Sequence, residues 1–153
     1  GDWEIDTVIG KGHSGALVTI VERVTLFTVS MRVKSKRAKE VTAATIALLT
    51  PFKGLVHTIT SDNGKEFAYH EQIAAGLDCD FYFAHPYHSW ERGLNENTNG
   101  LLRQYFPKST DFKTVRAAAV KQSVDRLNNR PRKTLAFKTP AVLMQKEMAA
   151  LAA

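Results

Sequence analysis

The sequence is poor in cysteine, in long apolar runs and in repeats, and each shortage removes a class of protein. Cys79 is the one cysteine among 153 residues. It excludes an internal disulfide and a multi-cysteine zinc site, and fits a reducing or redox-indifferent setting. No stretch approaches the roughly 20 consecutive apolar residues of a membrane-spanning helix. The chain opens on Gly1-Asp2-Trp3-Glu4, with neither the basic start nor the apolar run of a secretory signal. It also lacks an initiating methionine, so we expect a fragment of a longer protein. No internal repeat is visible, and the only biased tract is the terminal Ala149-Ala150-Leu151-Ala152-Ala153. No helix-turn-helix is evident.

What is there suits one globular domain. The length matches a single domain of roughly 100–200 residues, and 44% hydrophobic with 24% charged residues excludes disorder. The net charge of +6 is lopsided, with 10 basic against 12 acidic residues through Gly100 and 11 against 3 beyond it. That asymmetry suits a polyanion lying along the last third, although a solvated basic helix face is the plainer reading.

Periodicity orders the elements. Residues 3–9 alternate with Trp3 and Ile5 opposite Glu4 and Asp6, and 16–24 and 26–33 are β-branched period-2 runs that should pair as a hairpin. Over 38–50 the period changes to that of a helix (Val41, Ala44, Thr45, Leu48, Leu49), which Pro51 stops. A strand at 55–60 leads into the turn Ser61-Asp62-Asn63-Gly64, then a helix at 65–76 and a strand at 79–84. His85 to Trp90 reads as a loop, since Pro86 biases His85 away from helical angles. Helices are predicted at 94–106, at 111–128 with Asp111 or Thr110 as cap, and from Pro140 onward. In the 94–106 helix Leu94, Leu101, Leu102 and Tyr105 share an apolar face opposite Glu96, Asn99, Gly100 and Arg103. Asn128 to Lys133 reads as a basic linker. The order β-β-β-α-β-α-β-α-α, before that last short helix, implies an α/β fold. Its mixed five-stranded sheet has an antiparallel meander plus parallel strands and is flanked by helices.

Three acids stand where such a fold brings them together: Asp6 in the first strand, Asp62 at the exit of the fourth, and Glu96 on a helix. Each alone has a plainer role, as an edge-strand charge, an Asx-turn residue and an exposed helix residue. If the first and fourth strands are neighbours, the carboxylates converge. Two such charges 4 Å apart repel by about 4 kcal/mol at an effective dielectric of 20, which a divalent cation relieves. Oxygen ligands select magnesium or manganese over zinc. Two ions about 3.5–4 Å apart suit phosphodiester chemistry. The histidines offer less: His85-x-x-His88 with Cys79 matches no four-ligand zinc spacing.

Trp3-Glu4-Ile5-Asp6, Ser61-Asp62-Asn63-Gly64-Lys65-Glu66-Phe67 and the run from Arg92 to Lys108 together resemble a known family. It is the integrase-type catalytic core of bacterial insertion-sequence transposases, with the insertion-sequence-30 family nearest. Leu127 to Leu135 and Phe137 to Ala141 extend the resemblance over nearly the whole chain. It implies that residues 1–153 are one ribonuclease-H-like catalytic core domain with an Asp-Asp-Glu triad of Asp6, Asp62 and Glu96. The 33 residues between Asp62 and Glu96 suit the family. Asp2 and Glu4 share the face of Asp6, so strand register does not choose among them; the motif chooses Asp6.

The implied reaction is metal-dependent hydrolysis at element ends and transfer of the freed 3′-hydroxyl to target DNA, by a polynucleotidyl transferase. Magnesium or manganese, as two ions when DNA is bound, would serve it. The implied setting is the bacterial cytoplasm at the nucleoid, with DNA as partner, a homo-oligomer in the full-length protein, and no membrane. Asn63, Tyr87, Trp90, Arg92, Asn99 and Arg103 are candidate DNA contacts, with loop packing and helix capping as the competing role for those on the loop and helix start. Arg130, Arg132 and Lys133 are expected on phosphates. Two other functions stay open: a related nuclease that cuts without joining, and a DNA-binding assembly module with structural acids.

Overall fold

The computed structural model describes the backbone of residues 1–153 and all side chains except those of Ser89 and Trp90. Five strands, β1 (Asp2–Ile9), β2 (Ala16–Glu22), β3 (Thr28–Val33), β4 (Thr58–Ser61) and β5 (Asp80–Phe83), form one sheet in the order β3-β2-β1-β4-β5. The β1–β2 and β2–β3 pairs are antiparallel, whereas β1–β4 and β4–β5 are parallel. The predicted meander with two parallel additions is therefore what forms, and the parallel additions require crossovers. These are α1 (Ala38–Leu49) and α2 (His70–Leu77), followed by α3 (Gly93–Tyr105), α4 (Ala117–Asn128) and α5 (Pro140–Ala152). Among the described residues no helix is long and apolar enough to cross a membrane.

Helices cover the sheet on both faces, which explains β2: all seven of its residues are buried although Thr19 and Glu22 are polar. On one face Trp3, Ile5, Val18, Ile20 and Ile59 pack with Val41, Leu49, Phe67, Ile73 and Leu77. The Trp3 indole donates to the Leu55 carbonyl at 2.9 Å, so its one polar atom is satisfied inside the core. On the other face Val8 and Leu17 meet Phe106, Phe112 and Val120, and Leu102 meets Val124 and Leu127.

Several boundaries differ from the sequence pattern, each for a local reason. Residues 55–57 precede β4 because 50–55 continue as a 3-10 helix after α1. The 65–76 helix is divided into a 3-10 turn, Lys65–Phe67, and α2. Asp111 does not cap the next helix; its carboxylate accepts from the Ser14 hydroxyl and the Lys113 amide, and α4 starts only at Ala117. Asn128 belongs to α4 rather than to a linker. Its side-chain amide bonds both the amide (2.9 Å) and the carbonyl (2.8 Å) of Thr28, pairing with edge strand β3 as another strand would.

The largest departure concerns α3. Its buried residues are Asn95, Thr98 and Leu102; of the predicted row Leu94, Leu101, Leu102 and Tyr105, only Leu102 is buried. Two asparagines face the sheet because β1 and β2 offer them polar partners there, which a hydrophobicity pattern does not register.

Candidate active site

The parallel register of β1 on β4 pairs Trp3 with Ile59 and Glu4 with Thr60. Continued past the last rung, it sets Asp6 beside Asp62. Asp62 Oδ1 accepts the Gly64 amide at 2.9 Å, the Asx turn expected of Ser61 to Gly64, and Asp6 Oδ1 accepts the Thr7 amide at 2.8 Å. The Arg92 guanidinium lies between the two acids, with Nη1 3.7 Å from Asp6 Oδ1 and 3.6 Å from Asp62 Oδ2. That nitrogen is buried and makes no hydrogen bond among the described residues. Burial pushes the Asp6 carboxyl above its ordinary value and the Asp62 charge adds to it, while the Thr7 amide, Arg92 and Lys36 hold it back.

Glu4 and Asp6 share a face of β1 but do different work. Glu4 is buried, takes Arg23 Nε on one oxygen at 3.0 Å and the Asn95 backbone amide on the other at 3.0 Å. It thus satisfies a first-turn amide of α3, whose N-cap Arg92 supplies no side-chain acceptor. Asn99 Nδ2 donates to Asp6 Oδ2 at 2.9 Å, and Asn99 Oδ1 accepts from the Thr19 hydroxyl at 2.7 Å. Thr19 is the register partner of Asp6 on β2. Glu96 lies three residues before Asn99 on α3, so the two share a helical face on which Asn99 touches Asp6. The Glu96 side chain is exposed and makes no hydrogen bond or ion pair among the described residues.

The sequence reading missed a second layer. Glu66, only 5% exposed, accepts the Thr7 hydroxyl at 3.0 Å and pairs with Lys36 Nζ at 2.6 Å. Its signal was available in the Ser61 to Phe67 motif, whereas nothing in the sequence marks Lys36.

The candidate DNA contacts divide by what already holds them. Tyr87 is 99% exposed at a turn, and Asn63 is exposed with its amide on the Ala84 carbonyl at 3.2 Å. Asn99 is engaged with Asp6. Arg103 donates to three backbone carbonyls, those of Ile9, Phe106 and Pro107. Arg130 and Lys133 are exposed, but Arg132 is half-buried and donates to the Leu127 carbonyl. The side chain of Trp90 lies outside the described residues.

His85 and His88 do meet an acid, though it is Glu91 and not Cys79. The His85 amide and imidazole, with His88, hold the Glu91 carboxyl down at about 2.

A five-stranded mixed sheet of this topology, with one acid within the central strand and another just past its parallel neighbour, defines a class, the ribonuclease-H-like cores. The structure of this chain is similar to the catalytic core of bovine immunodeficiency virus (BIV) integrase, with a TM-score of 0.74 at 18% identity, over 99% of this chain and 98% of that one. It is equally similar, at a TM-score of 0.74 and 19% identity, to a chain of the simian T-cell lymphotropic virus intasome solved with a PP2A regulatory subunit, over 91% of this chain and 52% of that one. The model of the integrase core domain matches residues 1–89, and the chain belongs to that family. The match takes in Asp6 and Asp62 and ends before Glu96.

Among curated relatives, the chain is 54% identical to the transposase for insertion sequence element IS4351 of Bacteroides fragilis, over 92% of this chain and 43% of that protein. It is 39% identical to the transposase InsI for insertion sequence element IS30A of Escherichia coli K12, over 97% of this chain and 39% of that one. The chain therefore spans about two fifths of the length of these relatives.

Proposed function

We propose that residues 1–153 are the catalytic core domain of an insertion-sequence transposase, a polynucleotidyl transferase in which Asp6, Asp62 and Glu96 hold divalent metal. The observation that carries this is the convergence of Asp6, on β1, and Asp62, just past the end of β4, on a shared cation, Arg92. Both separations are ion-pair rather than hydrogen-bond lengths, and the intervening nitrogen is left unsatisfied. An all-carboxylate oxygen set of this kind fits a small hard cation better than a guanidinium.

Integrase-type cores work with divalent metal; donor chemistry favours magnesium or manganese here, as two ions once DNA is bound. When bound, such ions activate the attacking water or 3′-hydroxyl and stabilise the leaving oxygen of the phosphodiester. The chain's own residues prepare the site. Asn99 and the Thr7 amide fix the Asp6 carboxylate, Gly64 fixes Asp62, and Glu4 anchors the start of α3, the helix that carries Glu96. Arg92 is suited to move onto a phosphate as the acids take up metal.

The substrate proposed is DNA, first the element ends and then the target, gripped by Arg130, Lys133 and their basic neighbours. The parent protein would act as a homo-oligomer in the bacterial cytoplasm, at the nucleoid. The insertion-sequence relatives favour joining over cutting alone. The test uses the full-length transposase carrying Glu96→Gln. Metal-dependent cleavage of element ends and their joining to a second duplex should both disappear while DNA binding survives. Persistent cleavage by Glu96→Gln would remove Glu96 from the site and with it this reading.

A further inference from the structure

The segment between β5 and α3 holds a second cluster of ligating groups. His85 Nδ1 lies 3.0 Å from Glu91 Oε1, His88 Nδ1 lies 3.4 Å from the same oxygen, and the two rings are 5.4 Å apart. All three donor atoms fall within 4.8 Å of one another. The backbone builds this convergence. The His88 amide donates to the His85 carbonyl, the Glu91 amide to the His88 carbonyl, and the His85 amide returns to Glu91 Oε2 at 2.9 Å, so the seven residues close into a ring. Both ends are tied down. The Ala84 amide donates to the Ser61 carbonyl, and Arg23 donates to the Glu91 carbonyl.

We propose that His85, His88 and Glu91 form a binding site for a borderline divalent transition-metal ion of the zinc or cobalt type. Two imidazole nitrogens and one carboxylate oxygen are the donor set such ions select, and magnesium does not. The site is chemically distinct from the all-oxygen cluster of Asp6, Asp62 and Glu96. Glu91 is oriented for it: Oε2 is held by the His85 amide while Oε1 faces both imidazoles, the outer hydrogen bond that aims a ligating oxygen. Cys79 takes no part, lying instead beside His57, Asp78 and Asp80. Three protein ligands leave a coordination position open to water or to a ligand from outside.

The placement gives the site a consequence. Asp62, Asn63, His85, His88 and Arg92 line one cleft, and Arg92, next to Glu91, reaches both Asp6 and Asp62. An ion on the His-His-Glu set locks the backbone from which Arg92 projects, and so couples transition-metal binding to the position of the cation between the acids.

The experiment is calorimetric titration with zinc and optical titration with cobalt. It uses the chain carrying Asp6→Asn and Asp62→Asn, which removes the carboxylate pair, and the same chain carrying His85→Ala and His88→Ala as well. The double-acid variant should bind one equivalent of either ion and give the intense visible absorption of nitrogen-ligated cobalt. The added histidine changes should weaken binding by at least about tenfold. Both histidines are on the surface, and circular dichroism checks that the fold is retained. Absence of binding in the double-acid variant, or binding indifferent to the histidines, overturns the proposal and leaves the cluster as a hydrogen-bonded ion pair. Neither result depends on Glu96, so the catalytic reading stands or falls separately.

Discussion

Gly64 has no side chain at a point where the Asp62 and Glu66 carboxylates both crowd the main chain. A Cβ added there would overlap Glu66 Oε2 and Asp62 Oδ1 at distances real Cβ atoms do not adopt. Gly64→Ala should therefore displace Glu66 from Lys36 and Thr7 and turn Asp62 away from Asp6. Manganese affinity, followed by electron paramagnetic resonance, should fall by about tenfold or more, the scale of losing support behind a ligand. An unchanged affinity would show that the turn relaxes freely. Arg92 makes the opposite prediction. It competes for the acids as a cation, so Arg92→Ala should raise manganese affinity by a factor of about five or more, since an exposed ion pair is worth up to about 1 kcal/mol and the Arg92–Asp6 pair is mostly covered. A fall instead would make Arg92 a supporter of metal binding.

These residues also show the limit of a sequence. Asp6, Asp62 and Glu96 were legible as candidates because an acid inside a strand, an acid in a turn and an acid on a helix stand in order within the motifs that carry the resemblance. Glu4 was visible only as a competitor of Asp6. The two became distinguishable when α3 was seen to place its Asn95 amide on Glu4 and its Asn99 side chain on Asp6.

At the scale of elements, the β2–β3 turn depends on one carboxylate. Glu22 Oε2 accepts the amides of Val24 and Thr25 and the Thr25 hydroxyl. Burial pushes the Glu22 carboxyl up, and hydrogen bonds from the Thr25 amide and hydroxyl lead the groups that bring it below its ordinary 4.5. A proton then binds the folded chain more weakly than the unfolded one. The stabilisation is complete above about pH 4.5 and is lost as pH falls through the lower folded value. Glu22→Gln should cost about 1.5–3 kcal/mol at pH 7, the size of a hydrogen bond to a charged group. The Tm gap to the wild type should close as the pH is taken below 4.5. A gap that stays constant to pH 3 would mean that the charge is immaterial.

Element positions were read within a few residues where apolar periodicity was strong, as in β2, β3 and α1. They were misread where polar contacts set the boundary. Asp111 is held by Ser14, 97 residues away in sequence, so a capping pattern read locally assigns it to the wrong element. The α3 face failed for the same reason, because Asn95 is buried by hydrogen bonds to β1 and β2 rather than by hydrophobicity.

For the whole molecule the question is how an acidic site serves a polyanion. The charge is divided, acidic through Gly100 and basic beyond it, so the last third is the part suited to phosphates. The structure sorts its arginines. Arg130 and Lys133 face solvent, whereas Arg132 donates to the Leu127 carbonyl, and burial lowers its pKa. Replacing both Arg130 and Lys133 by glutamine should reduce the slope of log K against log salt by about 2 and weaken binding to all duplex sequences alike. Arg132→Gln should lower Tm with little change in that slope. A slope that ignores Arg130 and Lys133 would leave them merely solvated.

The sequence by itself determined the fold class, the candidacy of Asp6, Asp62 and Glu96 and the polarity of the charge, because periodicity, turn chemistry and motif order are all local properties of the chain. The tertiary structure decided the rest. Only the parallel pairing of β1 with β4 brings residues 6 and 62 side by side, and only the docking of α3 puts Arg92 between them and Asn99 on Asp6. Those contacts join residues dozens of positions apart. Their energies depend on burial and hydrogen-bond geometry, which exist only once the chain has folded.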